Sequence, residues 1–408
     1  MLYKRNHFNL LFVADVSISK IIGGAERVLY EQTTRLARRG HNVFIMTRKS
    51  QNQYKDCEVI QGVNEYKYDC SRKSPVLFLW SSWKNSKKIF ETLHTKINFD
   101  YINFHQPLSA LGVIHSGLSE HTPKIYTCHS LALEEFLSRN DNTHRFIPRV
   151  TNLLQSQGYK KIEKNVLRKS NQIVALSQFT KDKISNIYKI LPEKIKIIPG
   201  GVDINKFAPA VDKDNIRQQL NIPQDEVVLF TVRNLVQRMG LENLIIAFNE
   251  LQKEAADIQL VIGGKGPLED GLIALARSFG IEQKVHFTGF IPEDQLPLYY
   301  QMADLFVLPT KELEGFGLVT LEAMACGLPV IGTPIGGTKE ILGKFNAEFL
   351  FDDTAPESIA TLALEKYLII KNNPQRWNQI SKQCRKFVEK NYSWKQNIDA
   401  LEQLIQGN

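Results

Sequence analysis

Short apolar runs, glycine turns and stretches with a 3.6-residue repeat alternate along the whole chain. Phe8 to Ala14 reads as a buried strand, and the loop after it ends at Gly23-Gly24. From Ala25 to Arg39 the residues Val28, Leu29, Thr33, Leu36 and Ala37 share one helical face, and Gly40 stops the helix. Asn42 to Thr47 is the second strand. Strand, glycine turn, helix and strand make a Rossmann-like opening. Its turn is not the G-x-G-x-x-G of dinucleotide sites, so NAD is not the expected ligand.

The alternation continues. Tyr101 to His105 and Lys124 to His129 read as strands, each ending in a histidine, His105 and His129. Parallel α/β sheets gather ligands at the carboxyl ends of strands, which is where both histidines fall. A long basic helix is predicted over Arg145 to Lys169, a strand over Ile173–Leu176, a helix capped by Ser177, and a last strand over Ile195–Ile198. After Pro199-Gly-Gly the pattern restarts. Strands fall at Val227–Val232, from Leu260, from Val285, and over Asp304–Leu308, with helices at Leu241–Gln252 and Leu296–Ala303. From Pro356 the chain is helical, and Tyr392-Ser-Trp-Lys marks a final helix. Only residues 50–98 resist the pattern. Within them, 71–90 interleaves Leu77, Phe78, Leu79, Trp80 and Trp83 with Lys and Arg. Two readings fit: an amphipathic core helix, or a segment that docks in a membrane interface.

The densest stretch is Pro309 to Leu342. Glu314-Gly-Phe-Gly reads as a loop and Leu318–Ala325 as a short helix, closed by Cys326-Gly327 with Pro329 beyond. Pro329-Val-Ile is a buried strand, and Gly336-Gly337 a second turn opening a helix at Lys339. Gly315 and Gly317 let backbone approach a ligand, and free N–H groups at a helix start attract phosphate. Glu314 and Glu322 bracket this cradle. Side chains lean toward a helix's N-terminus, so Glu322 is placed to reach back over the loop. Two acceptor-only carboxylates beside an anion cradle suit a ligand with hydroxyls and phosphates, such as a nucleotide sugar. The plainer reading is an acidic cap on one helix, and spacing alone leaves both open.

Glu314-x7-Glu322 within EGFGLVTLEAMACGLPVI resembles the signature of the family 4 retaining glycosyltransferases. The resemblance implies an α/β GT-B fold, two Rossmann-like domains facing each other across a donor-binding cleft. It places Glu314 at the donor sugar near the reacting carbon, Glu322 on the nucleotide ribose, and the amides of Gly315, Phe316, Gly317 and Leu318 on sugar and phosphates. It puts Gly23 and Gly24 against the donor diphosphate, His129 near the donor sugar, Gly266 in the phosphate-side loop, and the backbone of Phe290 and Ile291 on the nucleobase. Family members carry an Arg and a Lys in a Gly-Arg-x-x-x-x-Lys-Gly pattern, and Arg233-Asn-Leu-Val-Gln-Arg-Met-Gly240 departs from it. Aligned on Leu-Val, the two positions hold Asn234 and Met239; aligned on charge, they hold Arg233 and Arg238. The arginines are expected to meet the leaving diphosphate, with their individual roles open.

Length and charge refine the picture. The 408 residues suit two domains, 1–200 and 201–385, with 386–408 expected to return as a helix onto the first. Residues 1–200 hold 31 Lys and Arg against 16 Asp and Glu, whereas the remainder holds 20 against 27. The basic first half suits an anionic acceptor or membrane surface. No nucleic-acid motif accompanies it, so nucleic acid is not an expected partner. Five scattered cysteines fit a reducing cytoplasm. Lys4 and Arg5 precede a short apolar run that reads as the first strand, without a cleavage site for a signal peptide. A cytoplasmic protein, peripheral on the inner face of a membrane, is expected. No Asp-x-Asp lies at a strand end, so neither metal nor cofactor is expected, and the resemblance implies transfer with retention by front-face attack. A GT-B phosphorylase or epimerase, or a non-catalytic nucleotide-sugar-binding protein, stays as the alternative. A dehydrogenase would need the missing dinucleotide fingerprint.

Overall fold

The structure, a computed structural model, describes residues 7–19, 23–50, 55–140 and 146–407. Lys4, Arg5 and Arg145 lie outside the described residues. The chain forms two compact units: one runs to Pro199 and resumes at Asn397, the other is Gly200–Gln396.

In the first unit the apolar runs become β1 (Asn9–Val13), β2 (Asn42–Arg48), β3 (Cys57–Ile60), β4 (Val63–Tyr68), β5 (Tyr101–Phe104), β6 (Lys124–Cys128), β7 (Gln172–Ala175) and β8 (Ile195–Ile197). They form one sheet in the order β3-β4-β2-β1-β5-β6-β7-β8, parallel except for the antiparallel β3–β4 pair. Every residue of β5 and β6 is buried, as expected when helices cover both faces of a parallel sheet. One face carries Phe90, Phe104, Tyr126 and Val166; the other carries Leu10, Phe12 and Leu36 with Ile398, Leu401 and Leu404 of the last helix, Trp394–Gln406. The chain therefore passes back to this unit at Asn397. The expected break at 386 falls inside the helix Pro374–Asn391, whose Cys384 and Val388 are buried.

The second unit holds β9 (Val227–Val232), β10 (Ile258–Gly263), β11 (Val285–Gly289), β12 (Leu305–Leu308) and β13 (Val330–Gly332), all parallel, in the order β11-β10-β9-β12-β13. In each sheet the strand order reverses beside the first strand of the unit, between β1 and β5 and between β9 and β12. Reversal opens a crevice at the carboxyl ends of those strands, where ligands of open α/β sheets bind.

The helix Pro75–Ile97 settles part of the irregular region. Ser74 caps it by accepting the Leu77 amide at 3.2 Å, and Pro75 takes the first helical position. Its buried face is built from Ser81, Ser82, Ser86, Phe90 and Leu93. Ser86 packs so closely on the helix Pro107–Ile114 that a Cβ on Gly112 would lie 2.1 Å from its Oγ. At its N-terminal end Val76 (75% exposed), Leu77 (43%) and Trp80 (52%) face outward, so there the usual amphipathic arrangement is inverted. Among the described residues no helix is long and apolar enough to cross a membrane.

Candidate functional site

In the second unit the candidate residues assemble from the strand ends inward. Arg233 follows β9, and the loop from Pro309 follows its neighbour β12. The Arg233 guanidinium donates through Nη2 to Glu314 Oε2 at 2.5 Å and to Thr310 Oγ1 at 3.0 Å. Thr310 in turn donates to the same carboxylate oxygen at 3.3 Å. Both charged side chains are almost wholly buried, at 7% and 10% exposure, so the pair is desolvated and geometrically fixed. Met239 is buried with its sulfur 3.0 Å from Arg233 Nη2, while Asn234 is exposed. Arg238 Nη1 donates to the Leu313 carbonyl at 3.3 Å, and the Arg238 carbonyl accepts the Lys311 amide at 2.9 Å. Both arginines thus reach the loop that carries Glu314, whereas Asn234 faces water.

That loop is held from below as well. Gly337 N–H donates to the Glu314 carbonyl at 2.9 Å, and a Cβ on Gly336 would lie 1.9 Å from the same oxygen. Gly336 also has φ of +59°, so glycine is required there on both counts. The helix it begins, Gly336–Phe345, opens three residues before the expected Lys339, because the close approach to Glu314 falls within its first turn. Gly317, at φ of +93°, turns the chain into the helix Leu318–Ala325. Phe316 is buried with its ring 6.1 Å from that of Tyr392. Glu322 is buried in the second turn of the helix, and its Oε2 accepts the Tyr300 hydroxyl at 2.9 Å. Glu314, Arg233, Arg238 and residues 315–318 therefore share one neighbourhood.

Gly266 sits in the turn after β10, which closes on the Arg233 loop through the Leu235 amide and the Lys265 carbonyl at 3.1 Å. Beyond β11, Phe290 is 44% exposed, while Ile291 is buried and its Cδ1 would lie 2.5 Å from a Cβ on Gly263.

In the first unit Gly23 precedes the helix Gly24–Arg38, with Glu26 in the first turn. The Glu26 carboxylate folds back so that Oε2 would lie 3.2 Å from a Cβ on Gly23. Burial raises the Glu26 carboxyl above its ordinary range, and the charge of Glu135 adds to the rise. His129 follows β6. Its Nε2 is 2.9 Å from Nδ1 of His105, which follows β5. Burial drives the His129 imidazole down to about 4. His105 is pushed well below the ordinary range, by burial first and then by its neighbour.

Two residues at this end of the sheet stand outside the set that the resemblance assigns to the site. His105 is one. The other is Glu163 of the helix Phe146–Lys169, which has 0% exposure. Its carboxylate accepts the amides of Ala132 at 3.0 Å and Leu133 at 3.3 Å, the Tyr126 hydroxyl at 3.4 Å and the Tyr188 hydroxyl. Ala132 and Leu133 open the helix Ala132–Asn140, three residues beyond His129, so Glu163 fixes the segment that carries the histidine.

Residues 22–206 match the family described as Glycosyltransferase Family 4, and residues 212–406 match Glycosyl transferases group 1. The chain belongs to the family 4 glycosyltransferases. It is 29% identical over 242 residues to a GDP-mannose-dependent alpha-(1-6)-phosphatidylinositol monomannoside mannosyltransferase of Mycolicibacterium smegmatis, covering 58% of this chain and 62% of that protein. It is 33% identical over 195 residues to an uncharacterized glycosyltransferase of Methanocaldococcus jannaschii, covering 47% and 49%. An alpha-monoglucosyldiacylglycerol synthase of Streptococcus pneumoniae is 26% identical over 325 residues, covering 76% and 68%. The chain thus spans less than two thirds of the length of the first two relatives. Sucrose-phosphate synthase from Thermosynechococcus elongatus superposes with a TM-score of 0.80 at 21% identity over 98% of both chains. Anabaena HepE in complex with UDP and glucose superposes with a TM-score of 0.76 at 19% identity over 98% of this chain and 100% of that one. The fold of this family 4 chain is GT-B.

Proposed function

We propose that this family 4 chain moves a hexose, with retention, from a nucleotide-diphosphate sugar to an acceptor hydroxyl in glycan or glycolipid synthesis. One observation carries the reading: the Arg233–Glu314 pair, buried at the ends of β9 and β12, beside the N-terminus of the helix Leu318–Ala325. The bond from the anomeric carbon to the diphosphate oxygen breaks, and the acceptor oxygen bonds to that carbon on the same face. The acceptor proton passes to the leaving diphosphate. Arg233, Arg238 and the amides at 315–318 meet the charge that develops on the leaving group, where fixed dipoles lower a barrier most. Glu314 faces the sugar and Glu322 the ribose. UDP is favoured as the base carrier; relatives named for GDP-mannose keep that donor as the second candidate. No divalent cation enters the proposed step.

The test is nucleotide release from UDP-glucose, UDP-galactose, UDP-N-acetylglucosamine and GDP-mannose, with EDTA present and Glu322→Ala as control. Release from one donor, lost in the variant, supports the reading and names the sugar. Loss of turnover on adding EDTA overturns metal independence. Failure of every nucleotide sugar to bind overturns the whole reading.

The acceptor is proposed to be lipid-linked, reached by docking on an anionic bilayer. Val76, Leu77 and Trp80 project from the helix start, flanked by exposed Arg72 and Lys73, and Lys84 lies 4.7 Å from the Trp80 ring. Apolar tips ringed by cations match the interface of an anionic membrane. The protein should therefore sediment with phosphatidylserine vesicles at low salt and be released at high salt. Removing Arg72 or Lys73 should weaken binding roughly fivefold each, equivalent to about 1 kcal/mol. Absence of low-salt sedimentation ends this part of the proposal.

A further inference from the structure

We infer that Arg48 binds a phosphate group of the acceptor, in a subsite at the carboxyl ends of β1 and β2. The inference goes deeper into the function proposed above, and that the phosphate belongs to an acceptor rests on that reading.

The subsite is built from strand ends. Arg48 is the last residue of β2 and pairs in register with Tyr68, the last of β4. Asp15 lies two residues beyond β1, the strand on the other side of β2. Parallel α/β sheets take their ligands along this rim. It continues to Gln106, just past β5, whose Oε1 accepts the Asp15 amide at 2.8 Å. Asp15 Oδ1 accepts the Ser109 amide at 3.2 Å and also the Ser109 hydroxyl. The Tyr68 hydroxyl donates to Ser109 Oγ at 2.9 Å, so the end of β4 joins the same network.

Arg48 completes this frame. Its Nη2 lies 3.0 Å from Asp15 Oδ2, and its Cζ is 4.9 Å from the centre of the Phe78 ring. The side chain is 20% exposed, yet Nε is buried and has no partner. A guanidinium carries five N–H donors in a rigid fork, and Asp15 is its one polar partner among the described residues. A buried N–H left unpaired calls for an explanation, and a ligand oxygen supplies one. The acceptors nearby are already committed: Gln106 Oε1 to the Asp15 amide, and the Asp15 carboxylate to Ser109 and Arg48. Uncommitted are donors, on Arg48 and on Gln106 Nε2. Donors alone, with one group charged, select a ligand made of acceptor oxygens, and phosphate is such a ligand. Positive charge continues outward, since Arg72 Nη2 donates to the Lys49 carbonyl at 3.1 Å. Lys49 itself is paired with the exposed carboxylates of Asp56 and Asp69. Phe78 belongs to the helix Pro75–Ile97, beside the outward Leu77 that is proposed to meet the bilayer. A phosphate on Arg48 therefore lies next to the docking segment, as a lipid headgroup requires.

The test uses 15N-labelled full-length protein and needs no sugar donor. The Arg48 1H–15Nε signal, assigned by its loss in Arg48→Lys, is followed during titration with inorganic phosphate. A second titration uses a short-chain phosphatidylglycerol below its micelle concentration. Both should move the signal, and sodium chloride at matched ionic strength should not. Tighter binding of the lipid supports a headgroup phosphate; tighter binding of inorganic phosphate supports a soluble phosphorylated acceptor. No shift with either overturns the inference, as does an equal shift with chloride. A shift produced by UDP at lower concentrations than either would assign Arg48 to the donor and overturn it too. Arg48→Lys keeps the charge beside Asp15 and loses the fork. It should weaken lipid binding about tenfold, read at the Gln106 side-chain amide that both proteins retain. Equal affinity in the folded variant overturns the role of Arg48. If nucleotide sugars bind and Arg48 stays silent, this inference fails alone. If Arg48 responds and no nucleotide sugar binds, the transfer reading fails and the phosphate subsite stands.

Discussion

Replacing Arg233 with Met should abolish most turnover and also loosen the second unit. The guanidinium is the buried partner of Glu314, at 2.5 Å with both side chains at 10% exposure or less. Without it the carboxylate stays in a low-dielectric site with Thr310 as its remaining side-chain partner among the described residues. Breaking a buried pair from one side costs about 3–5 kcal/mol, because the remaining charge is uncompensated. For a unit spanning 200–396 this is a fall in melting temperature of roughly 6–20 °C. Turnover should drop by about 100- to 1,000-fold, the usual consequence of removing a fixed donor aimed at developing charge. The double variant Arg233→Met, Glu314→Gln separates the two effects. A neutral amide beside Met leaves no isolated charge, so stability should return by several kcal/mol while turnover stays lost. Differential scanning calorimetry and nucleotide-release assays on the parent protein and the two variants check this. Recovery of turnover in the double variant would mean that the pair is structural and that another cation meets the diphosphate.

Much of this architecture was readable from the chain because parallel strands covered on both faces are short and almost purely apolar. β5, β6, β10, β12 and β13 are buried along their whole length, and a run such as Leu305–Leu308 has no other plausible fate. The 309–342 stretch was legible for a different reason: glycine, proline and helix-former positions agree there on a single loop-helix-strand order. The edge hairpin of β3 and β4 escaped notice. Its turn, Gln61-Gly62, has φ of +51° and +82°, the geometry usually signalled by Asn-Gly, and Gln at the first place hides it. Its strand β4 also buries charge, since Glu65 has 0% exposure and is held by Ser17 and Thr47 at 2.9 Å each. Burial of that kind inverts the alternation on which strand recognition depends. The serine-lined face of the helix Pro75–Ile97 defeated the pattern in the same way. Neither departure could be read without knowing the neighbours that make it tolerable.

Glu163 is the extreme case, and its removal is expected to be the most damaging single change in the first unit. In YKKIEKNVLRK it reads as one more charge on a solvated helix, yet its carboxylate lies wholly buried beneath the start of the helix Ala132–Asn140. Glu163→Ala leaves two backbone N–H groups and two tyrosine hydroxyls to find other partners, and it opens a cavity. Buried donors left unpaired cost about 1–3 kcal/mol each, so a loss of at least about 4 kcal/mol is expected. Glu163→Gln keeps the volume but turns an NH2 toward one of the two amides, for a loss of about 2 kcal/mol at neutral pH. The pH dependence gives the sharper check. Burial raises the Glu163 carboxyl above its ordinary value of 4.5, despite the hydrogen bonds that favour its charged form. Between the unfolded and folded values the native state binds the proton and the unfolded chain does not. Stability from this group therefore rises as pH falls through the raised value and levels off below 4.5. Glutamine cannot follow that rise. Urea unfolding at pH 7 and pH 5 should show the deficit of Glu163→Gln widening at the lower pH, with all other titrating groups common to both proteins. A constant deficit would mean that Glu163 ionises normally and that its amide contacts outweigh its burial. The helix start three residues beyond His129 would then be held by a full charge throughout the working pH range.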